Sequence, residues 1–212
     1  METTVTVSDV TTVGPDTVAI AFDTPTGFEA APGQFVKLSA TVDGENYARF
    51  YTLSSPTVRE HFEITVEIDP AESGPFSDHL AALTPGDEIE MSGPFGSDYY
   101  EGEARVVVLA GGPGIGPAVG IAERTLDDGG EVAVVYRAAT PAHEERLATL
   151  EERGAAVTIL DGEITDAVAD VVTGNADEQV FVYGFAEFVD DAAAAIDAAG
   201  GDPDAAKVEN FG

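Results

Sequence analysis

Apolar and polar positions change rhythm part way along the chain. Up to about residue 98 the apolar residues come in short bursts rich in Val, Thr, Ile and Phe: Thr3–Val10, Thr17–Phe22, Gln34–Ala40, Arg49–Ser54 and His61–Ile68. Such bursts read as strands. Gly and Pro punctuate them at Gly14-Pro15, Pro32-Gly33, Asp43-Gly44 and Pro85-Gly86-Asp87, where turns are expected. Ser77–Leu83 is the one helix-like stretch of this half, and Asp87–Met91 reads as its last strand. Short strands with regular turns predict a small closed β-barrel.

Beyond Gly96 strand-like runs (Val106–Ala110, Val132–Tyr136, Ala156–Ile159, Val180–Val182) alternate with helix-like ones (Pro117–Leu126, His143–Arg153, Ala186–Ala198). That alternation predicts a parallel α/β sheet. The expected division is a barrel domain over residues 1–98 and an α/β domain over 99–212, with Asp98–Glu103 as the hinge. No internal repeat is visible.

The stretch Arg105–Leu126 stands out within the second half. Its β-branched run ends in Gly111-Gly112-Pro113-Gly114-Ile115-Gly116, and Pro117 is expected as the first helical residue. A strand, a glycine turn and a helix N-terminus make a socket for an anion, because backbone N–H groups approach closely and the helix dipole adds positive charge. The plainer alternative is a glycine-rich turn between a core strand and a helix. The spacing is not G-x-G-x-x-G, the ordinary dinucleotide fingerprint.

Composition then narrows the classes. Hydrophobic residues make up 44% of the 212, enough for a sizeable core. Apolar runs are too short to span a bilayer as helices, and the N-terminus has neither a basic stretch nor an apolar signal segment. A soluble, cytoplasmic protein is the expectation. With no cysteine among these residues, they form no disulfide and hold no cluster through thiolates. Acidic residues number 40 against 9 basic ones, a net charge of −31, and they are dispersed from Glu2 to Glu209. A dispersed acidic surface with two lysines looks like adaptation to high salt, where screening tolerates self-repulsion. It argues against nucleic acid and anionic membranes as partners.

In the first half Arg49-Phe50-Tyr51-Thr52-Leu53-Ser54 combines a guanidinium, aromatics and hydroxyls on one strand and its exit. Strand alternation puts Arg49, Tyr51 and Leu53 on one face. Arg49 suits bidentate phosphate contact, Tyr51 offers a flat surface for a planar ring, and Thr52 offers a hydroxyl. An edge strand with a surface arginine and core aromatics is the alternative. Gly74-Pro75-Phe76-Ser77 opens the short helix, with Ser77 as the expected N-cap.

In this order and at these distances, the three segments resemble the ferredoxin–NADP reductase superfamily, which pairs a flavin-binding antiparallel Greek-key barrel with a nicotinamide nucleotide domain. The resemblance extends to Pro85-Gly86-Asp87 with Gly93-Pro94-Phe95-Gly96, and to the tail Val208-Glu209-Asn210-Phe211-Gly212, which is similar to the family's E-x-F ending. It implies that Arg49 binds the flavin pyrophosphate, with Gly74, Pro75, Phe76 and Ser77 on its other side. It implies further that Tyr51 packs on the flavin ring system and that Thr52 lies near flavin N5. Phe50, Leu53 and Ser54 belong to the same motif. Gly111, Gly112, Pro113, Gly114, Ile115, Gly116 and Pro117 would carry the nicotinamide nucleotide, Glu209 would approach the nicotinamide–flavin junction, and Phe211 would lie by the flavin. Thr52, Glu209 and Tyr183 are the implied catalytic residues, and FAD with NADPH or NADH the implied cofactors.

One departure stands out. Tyr183-Gly184-Phe185 occupies the place of the family's Cys-Gly-Pro. Tyr183 either stacks on or shields a nicotinamide, or is a partly buried tyrosine at a strand end. Arg137, just after a strand, is placed to bind a 2′-phosphate, favouring NADPH slightly, or else pairs with a nearby carboxylate. His61, His79 and His143 share no metal-ligand spacing, and no metal is expected. Glu144-Glu145 and Glu151-Glu152 read as a solvated helix face. The resemblance implies an NAD(P)H-dependent flavoprotein reductase that passes electrons to ferredoxin or another acceptor, or else an electron-transfer flavin subunit of a larger oxidoreductase. A binding module without turnover is a third possibility.

Overall fold

A computed structural model describes residues 1–68 and 74–212. The first half contains β1 (Glu2–Gly14), β2 (Thr17–Asp23), β3 (Phe35–Val42), β4 (Glu45–Thr52), β5 (His61–Glu67), α1 (Pro75–Ala81) and β6 (Glu88–Phe95). The six strands form an antiparallel sheet ordered β4-β3-β6-β1-β2-β5, with β6 returning between β1 and β3. A Leu53–Ile64 bridge links the two edges, so the sheet curls into a barrel. Val5, Ile20, Phe22, Leu38, Leu53, Phe62, Ile64 and Met91 fill it, and Phe76 and Leu80 of α1 join the same core. Alternation explains the filling: in β2, Ile20 and Phe22 point inward while Ala21 and Asp23 face out or lie half-exposed.

The second half contains β7 (Arg105–Gly111), α2 (Ile115–Asp127), β8 (Glu131–Arg137), α3 (Glu144–Glu152), β9 (Ala156–Leu160), α4 (Thr165–Val171), β10 (Glu178–Gly184), α5 (Ala186–Ala198) and β11 (Lys207–Asn210). Its strands are parallel in the order β11-β10-β7-β8-β9. Successive residues of β7 serve opposite faces. Val106 and Val108 pack with α2 and α3 residues such as Val119 and Leu147, whereas Val107 and Leu109 pack with Val168, Phe188 and Ile196 of α4 and α5. Both faces being covered accounts for the uninterrupted apolar run. Strand order reverses about β7, and the crevice beyond the strand ends at such a point is where open α/β sheets hold ligands.

Several sequence expectations shift. Gly74 rather than Ser77 is the N-cap of α1, in extended backbone with no side-chain cap, because Pro75 takes the first helical position it prefers. Pro117 is the third residue of α2, not the first. Gly112–Gly114 form a 3₁₀ turn that winds into the helix two residues earlier, and a missing N–H is harmless anywhere in the first turn. β6 runs on to Phe95. His143 precedes α3 as its N-cap in the left-handed region, φ 56°. α4 and β11 have no counterpart among the expected elements. Asp98–Glu103 forms no strand or helix, yet it is tied down: Lys207 Nζ donates to Tyr99 O at 2.6 Å, Glu101 Oε2 at 2.9 Å and Glu103 Oε1 at 2.7 Å.

Two contacts between the halves set the geometry of the site. Arg146 on α3 donates to both carboxylate oxygens of Glu123 on α2, to Glu63 on β5, and to the Ser54 carbonyl. Below it α2 lies close against the barrel. A Cβ added at Gly116 would fall 2.6 Å from Thr65 Cβ, and one at Gly120 would fall 2.9 Å from Ser54 O. Only glycine permits that approach.

Candidate active site

The strand ends and the barrel meet at a cleft of about 680 Å³. Arg49, Phe50, Tyr51 and Thr52 of β4 form one wall and Thr65, Val66 and Glu67 of β5 another. Ser77 of α1, Pro113 and Pro117 from the glycine turn and α2, and Phe185, Glu209, Asn210 and Phe211 from the C-terminal side complete it. This size lies in the range of small-molecule and cofactor pockets.

At its centre Thr52 Oγ1 donates a 2.8 Å hydrogen bond to Glu209 Oε1, joining β4 to β11 across 157 positions of sequence. Burial pushes the Glu209 carboxyl up to about 7, and the Asp98 charge adds to the rise, while the Thr52 bond opposes it. Glu209 therefore sits at the protonation boundary near neutral pH. Burial also pushes the Tyr51 phenol up to about 12, so its ring is neutral and partly packed on the barrel core. Phe185 and Phe211 meet edge to face at 6.2 Å between centroids.

Arg49 donates to its neighbour's carbonyl, Ala48 O, and makes no ion pair among the described residues. Most arginines of this strongly acidic chain are paired with a carboxylate among the described residues, and Arg49, which lines the cleft, is not. It is available to an anionic ligand.

The structure brings together Arg49, Phe50, Tyr51, Thr52, Ser77, Pro113, Pro117, Glu209 and Phe211 from the expected set. The rest lie outside the lining. Leu53 is in the barrel core, and Ser54 Oγ donates to Glu63 Oε1. Phe76 is core, while Gly74 and Pro75 begin α1. Ile115 and Gly116 are buried in α2. Gly111 and Gly184 are pressed on the Phe188 ring, and a Cβ at Gly114 would fall 2.2 Å from Tyr183 O. Gly112 adopts φ 53°. The glycine turn thus approaches β10 and α5 closely, with its two prolines facing the cleft.

Arg137 pairs with Asp191 at 2.6 Å and stacks over Phe188 at 4.9 Å, the carboxylate alternative among its two readings. Tyr183 is 1% exposed, so it is neither a partly buried strand-end tyrosine nor part of the cleft's lining. Its ring lies parallel to Phe181 and packs into the core between the sheet and α2. Thr65, Val66, Glu67 and Phe185 are cleft residues that motif reasoning missed. The β5 run predicts a strand but carries no mark of its cleft-facing end, and Phe185, 51% exposed, stands in the Tyr183-Gly184-Phe185 segment without a role of its own assigned to it. Among the described residues no group of acidic and histidine side chains is arranged to hold a metal, and no helix is long and apolar enough to cross a membrane.

Comparison with known proteins bears on the fold. Residues 4–100 match the family described as Oxidoreductase FAD-binding domain. A probable dihydroorotate dehydrogenase B (NAD(+)) electron transfer subunit from Methanopyrus kandleri is 40% identical over 93 residues, 44% of this chain and 32% of that protein. The chain spans about a third of the length of the first curated relatives it matches. Solved structures match along nearly the whole chain, two of them as follows. The flavohem-like FAD/NAD-binding domain of a Vibrio cholerae nitric oxide dioxygenase has a TM-score of 0.84, 22% identity and coverage of 99% and 98%. A ferredoxin–NADP+ reductase from Plasmodium falciparum has a TM-score of 0.83, 14% identity and coverage of 99% and 96%.

Proposed function

The chain has the two-domain fold of the ferredoxin–NADP reductase superfamily, and from that premise we propose that it is an NAD(P)H-dependent flavoprotein reductase with FAD in the cleft. The observation that carries this reading is the Thr52–Glu209 bond spanning both domains at the floor of an aromatic-walled cleft. The residues present fit a flavin dinucleotide. Tyr51 offers a flat ring partly packed from behind, Arg49 a guanidinium with no ion pair among the described residues, Ser77 a hydroxyl, and Gly114 a close-packed turn on the facing domain.

Bound FAD would supply the electron chemistry, accepting a hydride from the nicotinamide and releasing electrons to an acceptor. The chain's residues supply position and protons. Arg49 and Ser77 hold the pyrophosphate, and Tyr51 sets the plane of the ring system. Thr52 and Glu209 hold a proton at the floor of the cleft, with Glu209 able to give it up or take it near neutral pH. Phe185 and Phe211 cover the C-terminal side and exclude water. Pro113, Pro117 and the glycine turn receive the nicotinamide nucleotide. Because Arg137 is already committed to Asp191, we read NADH as the favoured donor.

The likeness to an electron transfer subunit, and the absence of cysteine in these residues, favour a second reading of the same site: the flavin subunit of a larger oxidoreductase, handing electrons to a partner that carries its own centre. The test of the reductase reading is to load the purified chain with FAD and add NADH or NADPH anaerobically. A yellow protein that bleaches, and an Arg49→Ala variant that loses FAD more readily, are expected. A chain that takes up no FAD overturns the proposal. Turnover with small acceptors alone would argue against the obligate-subunit reading.

A further inference from the structure

Tyr183 and Glu209 are paired neighbours in the parallel register of β10 and β11, as are Phe181 and Lys207. Paired residues of adjacent strands share a face. On this face Lys207 Nζ lies 5.2 Å from the Phe181 ring centroid, and the Phe181 and Tyr183 rings are parallel within 8°. Glu209 therefore stands beside the Tyr183 ring, with its carboxyl reaching past it to Thr52 on the barrel.

The far end of that ring meets the barrel. A Cβ added at Gly33, which has φ +95°, would lie 2.9 Å from Tyr183 Oη and 3.0 Å from Tyr99 Cα. The tyrosine thus reaches from the end of β10 to the loop before β3 and the connecting segment at Asp98–Tyr99. The hydroxyl is buried and has no hydrogen-bond partner among the described residues. It contributes no bond to the junction, so what the residue contributes there is volume.

We infer that the Tyr183 ring is a plug that seals the domain junction behind Glu209, so that its carboxyl meets solvent through the Thr52 side and the cleft. Facing Glu209 are Tyr183 from β10, Thr52 from β4 and Asp98 from the connecting segment. Glu103 and Lys207 lie on the Tyr183–Phe181 side, and Arg49 and Glu67 share the cleft. None of these neutralises the carboxyl directly. Its raised affinity for a proton comes first from burial, and the plug is part of what buries it. Tyr183 is on this view a positioning residue: it touches no reacting atom and acts through Glu209. Its bearing on turnover rests on the reductase reading above, but the seal itself does not.

The test reads the carboxyl directly. In the purified full chain carrying ¹³C-labelled glutamate, the Glu209 resonance is assigned by its loss in Glu209→Gln and titrated from acid to neutral pH. The native chain and Tyr183→Phe, which keeps the ring, are expected to titrate together near 7. Tyr183→Cys is expected to bring the midpoint down by about one unit or more, toward the ordinary carboxylate range. If Tyr183→Cys fails to fold, Tyr183→Leu is read in its place, with a shift in the same direction. Midpoints that stay with the native chain in the truncated variant, or that fall in Tyr183→Phe as far as in Tyr183→Cys, overturn the plug. A native chain that takes up no FAD, with midpoints that shift as expected, would instead count against the reductase reading and leave the seal standing.

Discussion

His143 lies 2.8 Å through Nε2 from the Thr65 hydroxyl, both buried where α3 meets the barrel. The contact holds a cleft residue, Thr65, from behind, and the His143 backbone N–H donates to Val13 O at 2.8 Å. Burial, with the Arg146 charge beside it, pushes the imidazole down to about 3. The folded chain keeps His143 neutral while the unfolded chain takes a proton below about 6.5.

The pH dependence follows. The stabilising difference is fully present above about 6.5 and is lost as pH falls from there to about 3, amounting to on the order of 5 kcal/mol. Glu209 works in the opposite sense. Its folded value of about 7 against an ordinary 4.5 gives stability that is complete below 4.5 and is lost as pH rises through 7. The comparison to make is therefore with His143→Asn, which tolerates the left-handed backbone and does not titrate. Urea unfolding between pH 7.5 and pH 4 should show the native chain losing stability relative to this variant as pH falls. A flat difference would show that the imidazole is not held neutral.

Gly120→Ala tests the closeness of α2 to the barrel. Its Cβ would meet Ser54 O at 2.9 Å and Ser55 O at 3.2 Å, both backbone atoms that cannot rotate away. An otherwise helix-favouring substitution, worth about 1 kcal/mol, should here cost about 1–3 kcal/mol by overpacking. It should also loosen the cleft, read as weaker FAD retention. A variant as stable as the parent would mean that the helix stands off from the barrel.

The two domains were legible because the apolar period changes near Gly96, and the long elements fell where that period put them; α5 matches residue for residue. What escaped was short or acidic. β11 is four residues, too few to show alternation, and α4 (TDAVADV) dilutes its apolar face with aspartates. Arg49, Tyr51 and Thr52 were legible as a chemically odd strand. Their meeting with Glu209 was not, since nothing local ties positions 157 apart; only the resemblance to a family pointed to it. Tyr183 marks the limit of reading by analogy. Its burial depends on Gly33, a turn glycine whose missing side chain is the space the phenol end uses.

Salt should stabilise the fold. With 40 acidic residues against 9 basic ones, compaction gathers like charge, and self-repulsion opposes folding at low ionic strength. The screening length falls from about 10 Å at 0.1 M to about 3 Å at 1 M. The thermal midpoint is expected to climb steadily between 0.1 M and 2 M KCl, and by more than for a near-neutral relative of this fold. A midpoint indifferent to KCl would remove the reading of the acidic surface as an adaptation to salt.

Tyr183→Phe separates the hydroxyl from the ring in stability as well as in titration. A buried hydroxyl without a partner carries its desolvation penalty uncompensated, and deleting it leaves the packing of the ring on Phe181 untouched. The variant is expected to be as stable as the parent or more stable, by up to about 1–2 kcal/mol, in urea unfolding at neutral pH. Tyr183→Ala, which removes the ring and opens a cavity, is expected to cost about 3–5 kcal/mol. A loss of more than about 1 kcal/mol in Tyr183→Phe would show that the hydroxyl makes a bond in solution, most directly to Asp98 or Glu209, whose charges already bear on it. The junction would then be held by that bond and not by volume alone.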